Sequence, residues 1–131
     1  MELGITYSLC GELEPAKREL KSVLDIYEAK GDVYSIARVS DQLAVVEAHL
    51  GRVPEAAVHF ERARQCWKRL GNDEQLLLTM NNLGVLYYWQ GGFEQAESVL
   101  QQGLEGAHRL TNARPEMYLR QSMADVKRDK G

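Results

Sequence analysis

The sequence predicts an all-α protein built from antiparallel helix pairs, about three of them, stacked one after another. Three observations lead to this class. Glycines recur at a fixed spacing of 40 residues. Between them, apolar residues recur at steps of three and four, which is helical periodicity. The composition is rich in strong helix formers and holds only 3 prolines.

The repeat is marked by four glycines, Gly11, Gly51, Gly91 and Gly131. Gly31 and Gly71 lie halfway along two of the intervals, and Thr111-Asn112 take that place in the third. Each repeat therefore has two equal halves, and we expect one helix per half. We expect residues 1–131 to form a single repeat domain with units at about 11–50, 51–90 and 91–130.

Apolar stripes and helix-end signals together place the helices along the chain. A second-half stripe contains Ala56, Phe60, Ala63, Trp67 and Leu70, and a first-half stripe contains Ile36, Val39, Leu43, Val46 and Leu50. Glycine just past a helix can close its last turn in the left-handed conformation. Pro15 and Pro54 lie near the first position of a helix, where a missing N–H costs nothing. The predicted helices are 13–30, 33–50, 54–70, 73–90, 93–110 and 115–129.

Both ends of the chain carry apolar residues. Residues 1–10 resemble the end of another first-half helix, because LGITY at 3–7 has the pattern of LGVLY at 83–87. Repeat arrays need polar end caps, whereas the apolar residues here are Leu3, Ile5 and Leu9 at one end and Leu119, Met123 and Val126 at the other. We therefore expect a fragment of a longer array, whose uncapped ends would permit self-association.

Charge and composition exclude several classes of function. The net charge is -3, with acidic and basic residues interspersed, which argues against direct contact with nucleic acid or an anionic membrane. No leader and no apolar run of about 20 residues occurs, so we expect a cytoplasmic protein without a membrane segment. Cys10 and Cys66 lack the close spacing of zinc or redox motifs and are interpreted as small core residues.

Catalytic signals are missing. His49, His59 and His108 fall in three different repeats, and no helical metalloprotease motif, phosphate-binding glycine loop or nucleophile elbow occurs. We expect no enzyme activity, no metal and no cofactor. The charged stretches at 17–19 and 127–130 are mixed in sign and are interpreted as solvated surface.

The residues at the helix crossings carry a family resemblance. Leu43-Ala44, Leu83-Gly84 and Met123-Ala124 supply a small residue in each first helix. Ala16, Ala56 and Ala96 supply an alanine in each second helix, followed by Leu20, Phe60 or Leu100. The chain resembles the tetratricopeptide repeats, which implies a right-handed solenoid. It departs from them in its 40-residue spacing, against about 34 in the family, and it lacks the proline that ends the second helix.

Long repeats of this kind resemble those in the sensor region of MalT-like transcriptional regulators, and also those of peptide-pheromone receptors and of scaffolds such as kinesin light chain. Two hypotheses follow. The chain is a sensor module that responds to a protein, peptide or small-molecule inducer, or it is a peptide-binding receptor or scaffold adaptor. A third alternative is that another part of a longer parent chain is an enzyme. A parent gene encoding nucleotide-binding and helix-turn-helix domains would favour the first hypothesis.

The resemblance implies that the first helices line a concave face that holds the partner. The inward set is Arg38, Asp41, Gln42, Val45 and His49, then Leu78, Asn81, Asn82, Val85, Tyr88 and Trp89, then Tyr118, Gln121, Ser122 and Asp125. The set lacks lysine, which disfavours a clamp for chaperone tails. Asn81 and Asn82 either contact the ligand, face water or bridge to a neighbouring helix. Tyr88 and Trp89 either anchor a ligand or pack between layers.

Three glycines fall inside predicted helices, where glycine is unfavourable by about 0.5–1 kcal/mol relative to alanine. Gly84 takes the small-residue position at a helix crossing, so a bulky residue there should overpack the crossing. For Gly103 and Gly106 two explanations stay open. Either a neighbouring helix approaches closely at these positions, or the helix has low local stability there.

Overall fold

A computed structural model of the protein describes residues 13–109 and 113–130. Its helices are α1 (Leu13–Lys30), α2 (Val33–His49), α3 (Val53–Leu70), α4 (Asp73–Trp89), α5 (Phe93–Ala107) and α6 (Ala113–Lys130). The covered ranges contain no strand, and the all-α class of paired helices is confirmed. The expectations for residues 1–10, Gly11, Thr111-Asn112 and Gly131, including the core position of Cys10, lie outside the described residues.

The helix ends agree closely with the predicted ones in α1 to α4, and the main difference is in α5. This helix was predicted to reach residue 110, but it ends at Ala107. The N–H groups of His108 and Arg109 donate to the carbonyls of Leu104 and Gly106, each at 3.1 Å. The second of these bonds spans only three residues and closes a turn, so the helix stops there.

Glycine ends the helices as the spacing predicts. Gly71 follows α3 with φ of 65°, and its N–H donates to the Lys68 carbonyl at 3.1 Å. Gly31, Gly51 and Gly91 also have positive φ after α1, α2 and α4. A side chain is strained in this conformation, whereas glycine is not. The same chemistry recurring every 20 residues explains the equal halves of the repeat.

The described residues form two compact units, 13–72 and 73–130. In the first unit, α2 packs against both α1 and α3. In the second, α5 packs against α4 and α6, and α4 also contacts α6. Connections as short as Gly31–Asp32 and Gln90–Gly92 force the helices that they join to run antiparallel.

The core of residues 13–72 follows the predicted stripes, with one exception at the end of α3. Leu24, Ile36, Val39 and Leu43 form one buried cluster, with the half-buried Cys66 against it. The side chains of Ala56, Phe60, Ala63 and Trp67 are buried, but Leu70 is 43% exposed because it is the last residue of α3. The predicted stripe is therefore correct up to the final turn.

A buried ion pair lies where solvated surface was expected. Lys17 on α1 is 8% exposed, and its Nζ lies 3.3 Å from Oε1 of Glu47 on α2, which is 1% exposed. The interpretation of residues 17–19 as solvated surface was wrong for Lys17. The reason is a difference between two repeats. Glu47 follows Leu43 by four residues, as Tyr87 follows Leu83 in the next repeat, so a carboxylate occupies a position that is aromatic in that repeat. A buried carboxylate at this aromatic position needs a cation from the helix packed against it.

In residues 73–130, the core lies between α4, α5 and α6. Leu119, Met123 and Val126 belong to it with exposures of 0%, 6% and 0%. Packing against α4 and α5 accounts for the apolar character of these three residues. Ala124, predicted to lie at a helix crossing, is exposed. The fragment hypothesis itself stays a prediction, as does the single domain.

The glycines inside α4 and α5 lie at close helix crossings. A Cβ built on Gly84 would come within 2.6 Å of Leu100 Cδ2, and one on Gly103 within 2.7 Å of Leu119 Cδ2. At Gly106 the nearest neighbour would be Leu77 Cδ2 at 3.2 Å. Close approach of a neighbouring helix therefore explains Gly84 and Gly103, whereas at Gly106 the Leu77 side chain would need to move by only a few tenths of an ångström.

Candidate partner-binding surface

The predicted surface lies on the first helices of the pairs, α2, α4 and α6, and the exposure of its side chains sorts them into three groups. The exposed residues are Arg38, His49, Trp89, Tyr118 and Gln121. The half-buried residues are Gln42, Leu78 and Tyr88. The buried residues are Asp41, Val45, Asn81, Asn82, Val85, Ser122 and Asp125. The first two groups offer surface to a partner, whereas the third has little or none.

In residues 13–72, the exposed part of the surface centres on Arg38. Its guanidinium carbon lies 6.0 Å from the ring centroid of Tyr34, one turn earlier in α2, and Tyr34 is 48% exposed. This distance suits a cation–π contact, which holds the guanidinium over the ring. The sequence analysis missed Tyr34, although its spacing of four residues from Arg38 on a helix was a usable signal.

A crevice of about 270 Å³ lies beside this pair, between α1 and α2. It is lined by Leu20, Val23 and Tyr27 from α1 and by Tyr34, Ser35, Arg38, Val39 and Gln42 from α2. Arg38 is the one charged side chain in this lining, and most of the other lining residues are apolar or aromatic. The sequence analysis assigned no binding role to α1, because it placed the surface on first helices alone.

Asp41 accepts a buried hydrogen bond within residues 13–72. Its Oδ2 accepts a hydrogen bond of 2.9 Å from Nε1 of Trp67 on α3. Trp67 is 1% exposed and meets Tyr34 edge-on, with ring centroids 5.5 Å apart. A buried indole N–H needs an acceptor, and the carboxylate of Asp41 is that acceptor. Asp41 thus fixes Trp67, which in turn supports Tyr34.

The two adjacent asparagines are also buried. The hydroxyl of Ser122 on α6 donates to Oδ1 of Asn81 on α4 at 2.7 Å, so Asn81 bridges to a neighbouring helix, one of the alternatives left open by the sequence. Asn82 is 4% exposed. The bridge joins the first helices of two successive repeats and fixes their register within residues 73–130.

The aromatic residues of α4 and α6 divide between packing and surface. Tyr88 is half-buried, and its ring lies 5.7 Å from that of Phe93. Trp89 and Tyr118 are 41% and 42% exposed. Gln121 is exposed, and its amide donates to Oδ1 of the buried Asp125 at 3.3 Å. The surface of this unit therefore presents two aromatic rings, those of Trp89 and Tyr118, and the amide of Gln121, which is oriented by its hydrogen bond to Asp125.

Burial is the main cause of a pKa shift at two groups on α3. Desolvation lowers the pKa of His59 on α3, although the charge of Glu47 opposes the shift. Burial raises the pKa of the Cys66 thiol, so the thiolate is disfavoured.

Within residues 13–109 and 113–130, no group of three or more His, Cys, Asp or Glu side chains is placed to hold a metal ion. In the same ranges, no helix has the length and apolar character that a bilayer span requires.

Comparison with known proteins agrees with the helix pairs. The sequence model of the family described as tetratricopeptide repeat matches residues 35–107, which is more than half of the chain. The match runs from the first turn of α2 to the end of α5. A search of curated proteins finds no match. The matched range contains the helix pairs α2 with α3 and α4 with α5, and it is long enough to assign the family. The chain therefore belongs to the tetratricopeptide repeat family.

Proposed function

We propose that the chain is a protein-interaction scaffold that holds a peptide or protein segment against the exposed side chains of its first helices. Repeats of this family generally mediate protein–protein or peptide interactions. One observation supports this role more than the others. In residues 73–130, α4 and α6 contact each other and present Trp89 and Tyr118, which are large aromatic side chains left partly exposed.

The chemistry of these side chains suits recognition of a polypeptide. Tryptophan and tyrosine combine a large apolar area with a polar tip, and such residues dominate the binding energy at many interfaces. The exposed amide of Gln121 has a donor and an acceptor that match a peptide backbone. In residues 13–72, Arg38 adds a guanidinium for which the described residues provide no ion pair. An apolar partner segment would suit the aromatic residues of the unit 73–130, and an acidic partner group would suit Arg38 in the unit 13–72.

A peptide selection tests the proposal directly. A random peptide library displayed on phage is selected against the 131-residue chain, and the dissociation constants of the selected peptides are measured by calorimetry. We expect Tyr118→Ala and Trp89→Ala each to weaken binding about tenfold or more, as truncation of an anchor residue does. The control is Val58→Ala on α3, a second helix, where the side chain is 67% exposed.

Two results would contradict the proposal. Selected peptides that bind both aromatic variants as tightly as the wild type would exclude the α4 and α6 surface. A loss of binding in Val58→Ala equal to that in Tyr118→Ala would place the site on the second helices.

The finer proposal is that this scaffold is the sensor module of a MalT-like signal-transducing ATPase or transcriptional regulator, acting in the cytoplasm. The repeat spacing supports it, because the helix-ending glycines Gly51 and Gly91 are 40 residues apart, whereas ordinary family repeats run to about 34. A small-molecule inducer is one candidate ligand. A parent gene that encodes nucleotide-binding and helix-turn-helix domains would support this role. A bare array would support the alternative, a peptide-binding receptor or scaffold adaptor.

A further inference from the structure

The two first helices of residues 73–130 run parallel to each other. Glu97 of α5 pairs with Lys130 of α6, with 3.5 Å between Oε2 and Nζ. Six residues later in α5, Gly103 lies against Leu119, which is closer to the start of α6, so α5 and α6 are antiparallel. The short connection between α4 and α5 makes these two helices antiparallel as well. Because α4 and α6 are both antiparallel to α5, they share one direction, and they contact each other.

One hydrogen bond fixes the level of α6 beside α4. Ser122 Oγ donates to Oδ1 of Asn81 at 2.7 Å, so both side chains lie in the contact between the two helices. Trp89 follows Asn81 by eight residues, and Tyr118 precedes Ser122 by four. These steps rotate the two rings away from the contact by about 80° and about 40°, in opposite senses. On two parallel helices that face each other, opposite senses lead to the same side. Both rings therefore open on one side of the α4–α6 pair.

The same register gives the distance between the two rings. Trp89 lies about 12 Å along α4 beyond the level of the hydrogen bond, and Tyr118 lies about 6 Å before that level on α6. Neighbouring helix axes are about 8–10 Å apart, so the two aromatic residues are separated by about 20 Å. An extended chain advances about 3.3 Å per residue, so about six residues connect the rings.

The amide of Gln121 lies on the same side, between the two rings. Gln121 precedes Ser122 by one residue, so it is rotated in the same sense as Tyr118, and it is exposed. Its Nε2 donates to Oδ1 of Asp125 at 3.3 Å, which leaves the acceptor Oε1 for a partner. An extended peptide presents unpaired backbone N–H groups, whereas a helical peptide uses most of them internally. The amide therefore favours an extended segment.

Charged side chains at both ends of this surface are paired with each other. One turn before Tyr118, Arg114 Nη1 lies 3.6 Å from Glu74 Oε1. Near the other end of α6, Arg128 Nη1 lies 3.5 Å from Asp125 Oδ1. Adjacent opposite charges cancel most of each other's field at a distance, so a charged ligand residue gains little here. An uncharged segment therefore matches this surface.

Given the proposed scaffold function, we propose that the partner segment on residues 73–130 is an uncharged, extended peptide with two apolar anchor residues about six positions apart. One anchor packs on the Tyr118 ring and the other on the Trp89 ring. A backbone N–H between the two anchors donates to Oε1 of Gln121.

Three synthetic peptides with capped ends test the spacing. Each has two leucines in a background of serine and glycine, and the leucines are two, six or thirteen positions apart. Binding is measured from shifts in the amide NMR spectrum of the 131-residue chain. The six-position peptide should bind about tenfold or more tightly than the two-position peptide, which is too short to reach both rings. It should also bind more tightly than the thirteen-position peptide, whose spacing suits a helix with a rise of about 1.5 Å per residue.

Variants of the chain test the three contacts. Tyr118→Ala and Trp89→Ala should each remove the advantage of the six-position peptide over the two-position peptide. Methylation of a backbone nitrogen next to one of the leucines should weaken binding to the wild type about two- to tenfold, but it should have no effect on binding to Gln121→Ala. The matched control is Gln101→Ala, an exposed glutamine on α5, which should bind all the peptides like the wild type. Circular dichroism checks that the variants are folded.

Equal affinities for the three peptides, or tightest binding of the thirteen-position peptide, would overturn the extended ligand with two anchors. A methylation effect of the same size in Gln121→Ala and in the wild type would overturn the backbone contact. If none of the three peptides binds while the phage library yields peptides that depend on Trp89 and Tyr118, the extended ligand is excluded and the scaffold function stands. If the library yields no such peptide either, both fail.

Discussion

Replacing Lys17 by methionine tests how the buried Glu47 carboxylate is tolerated. Lys17 is the only ion-pair partner that the described residues provide for Glu47, through an Nζ to Oε1 distance of 3.3 Å. The other oxygen, Oε2, has no hydrogen-bond partner in the described part of the chain. Methionine keeps much of the length of the lysine side chain and removes its charge. The variant therefore isolates the electrostatic contribution of the pair.

The magnitude follows from the burial of the two side chains. Removing one partner of a buried ion pair typically destabilises a protein by about 3–5 kcal/mol, because the other charge stays buried and unpaired. The Glu47 side chain is 1% exposed, but that of Lys17 is 10% exposed, so water reaches one end of the pair. We therefore expect a loss of about 2–4 kcal/mol in the free energy of unfolding. In urea, the midpoint should fall by about 1–2 M.

The assay is urea denaturation of the full chain, followed by circular dichroism. Arg52→Met is the matched control, because it removes a pair with Glu14 in which both side chains are 49% exposed, and such pairs contribute less than about 1 kcal/mol. The double variant Lys17→Met with Glu47→Met should recover the wild-type stability or exceed it, since two apolar residues of similar volume replace a buried pair.

Equal midpoints for Lys17→Met and Arg52→Met would refute this reasoning, because the buried pair would then behave like an exposed one. A double variant less stable than Lys17→Met would also refute it, since the unpaired carboxylate would not be the source of the loss.

Three further predictions concern packing, a buried hydrogen bond and pH. Gly84→Leu should lower the free energy of unfolding by at least about 1–3 kcal/mol through overpacking, whereas Gly106→Ala, where the nearest atom to the added carbon lies at 3.2 Å, should be nearly neutral in the same urea titration. Asp41→Ala should cost about 1–3 kcal/mol, measured by thermal unfolding, because the Trp67 N–H loses its 2.9 Å bond, and Asp41→Asn should recover part of this. The pKa of His59 is lowered in the folded chain, so the unfolded chain binds the proton more readily. The free energy of unfolding should therefore fall as the pH drops below the pKa of unfolded histidine, about 6.5. His59→Gln should reduce this pH dependence, measured by urea titrations at pH 5 and 7.5.

The candidate surface was predicted only in part, and α4 shows why. Its residues 79–86 are all buried, including Asn81 and Asn82, which were assigned to the concave face. A helix period identifies which residues share a face, but α4 packs against both α5 and α6, so more than one face is covered. The exposed residues Trp89 and Tyr118 lie among the predicted set, yet helical periodicity alone could not separate them from the buried ones.

The repeat, the helix pairs and nearly all of the helix ends could be predicted from the sequence alone. These depend on local chemistry: glycines that take positive φ after a helix, and apolar residues at steps of three and four. The tertiary structure alone decided that Lys17 is buried beside Glu47, that Asp41 holds Trp67, and that Ala124 is exposed while Leu119 is not. These outcomes depend on which helices pack together, because burial and hydrogen bonding between helices join residues far apart in the chain.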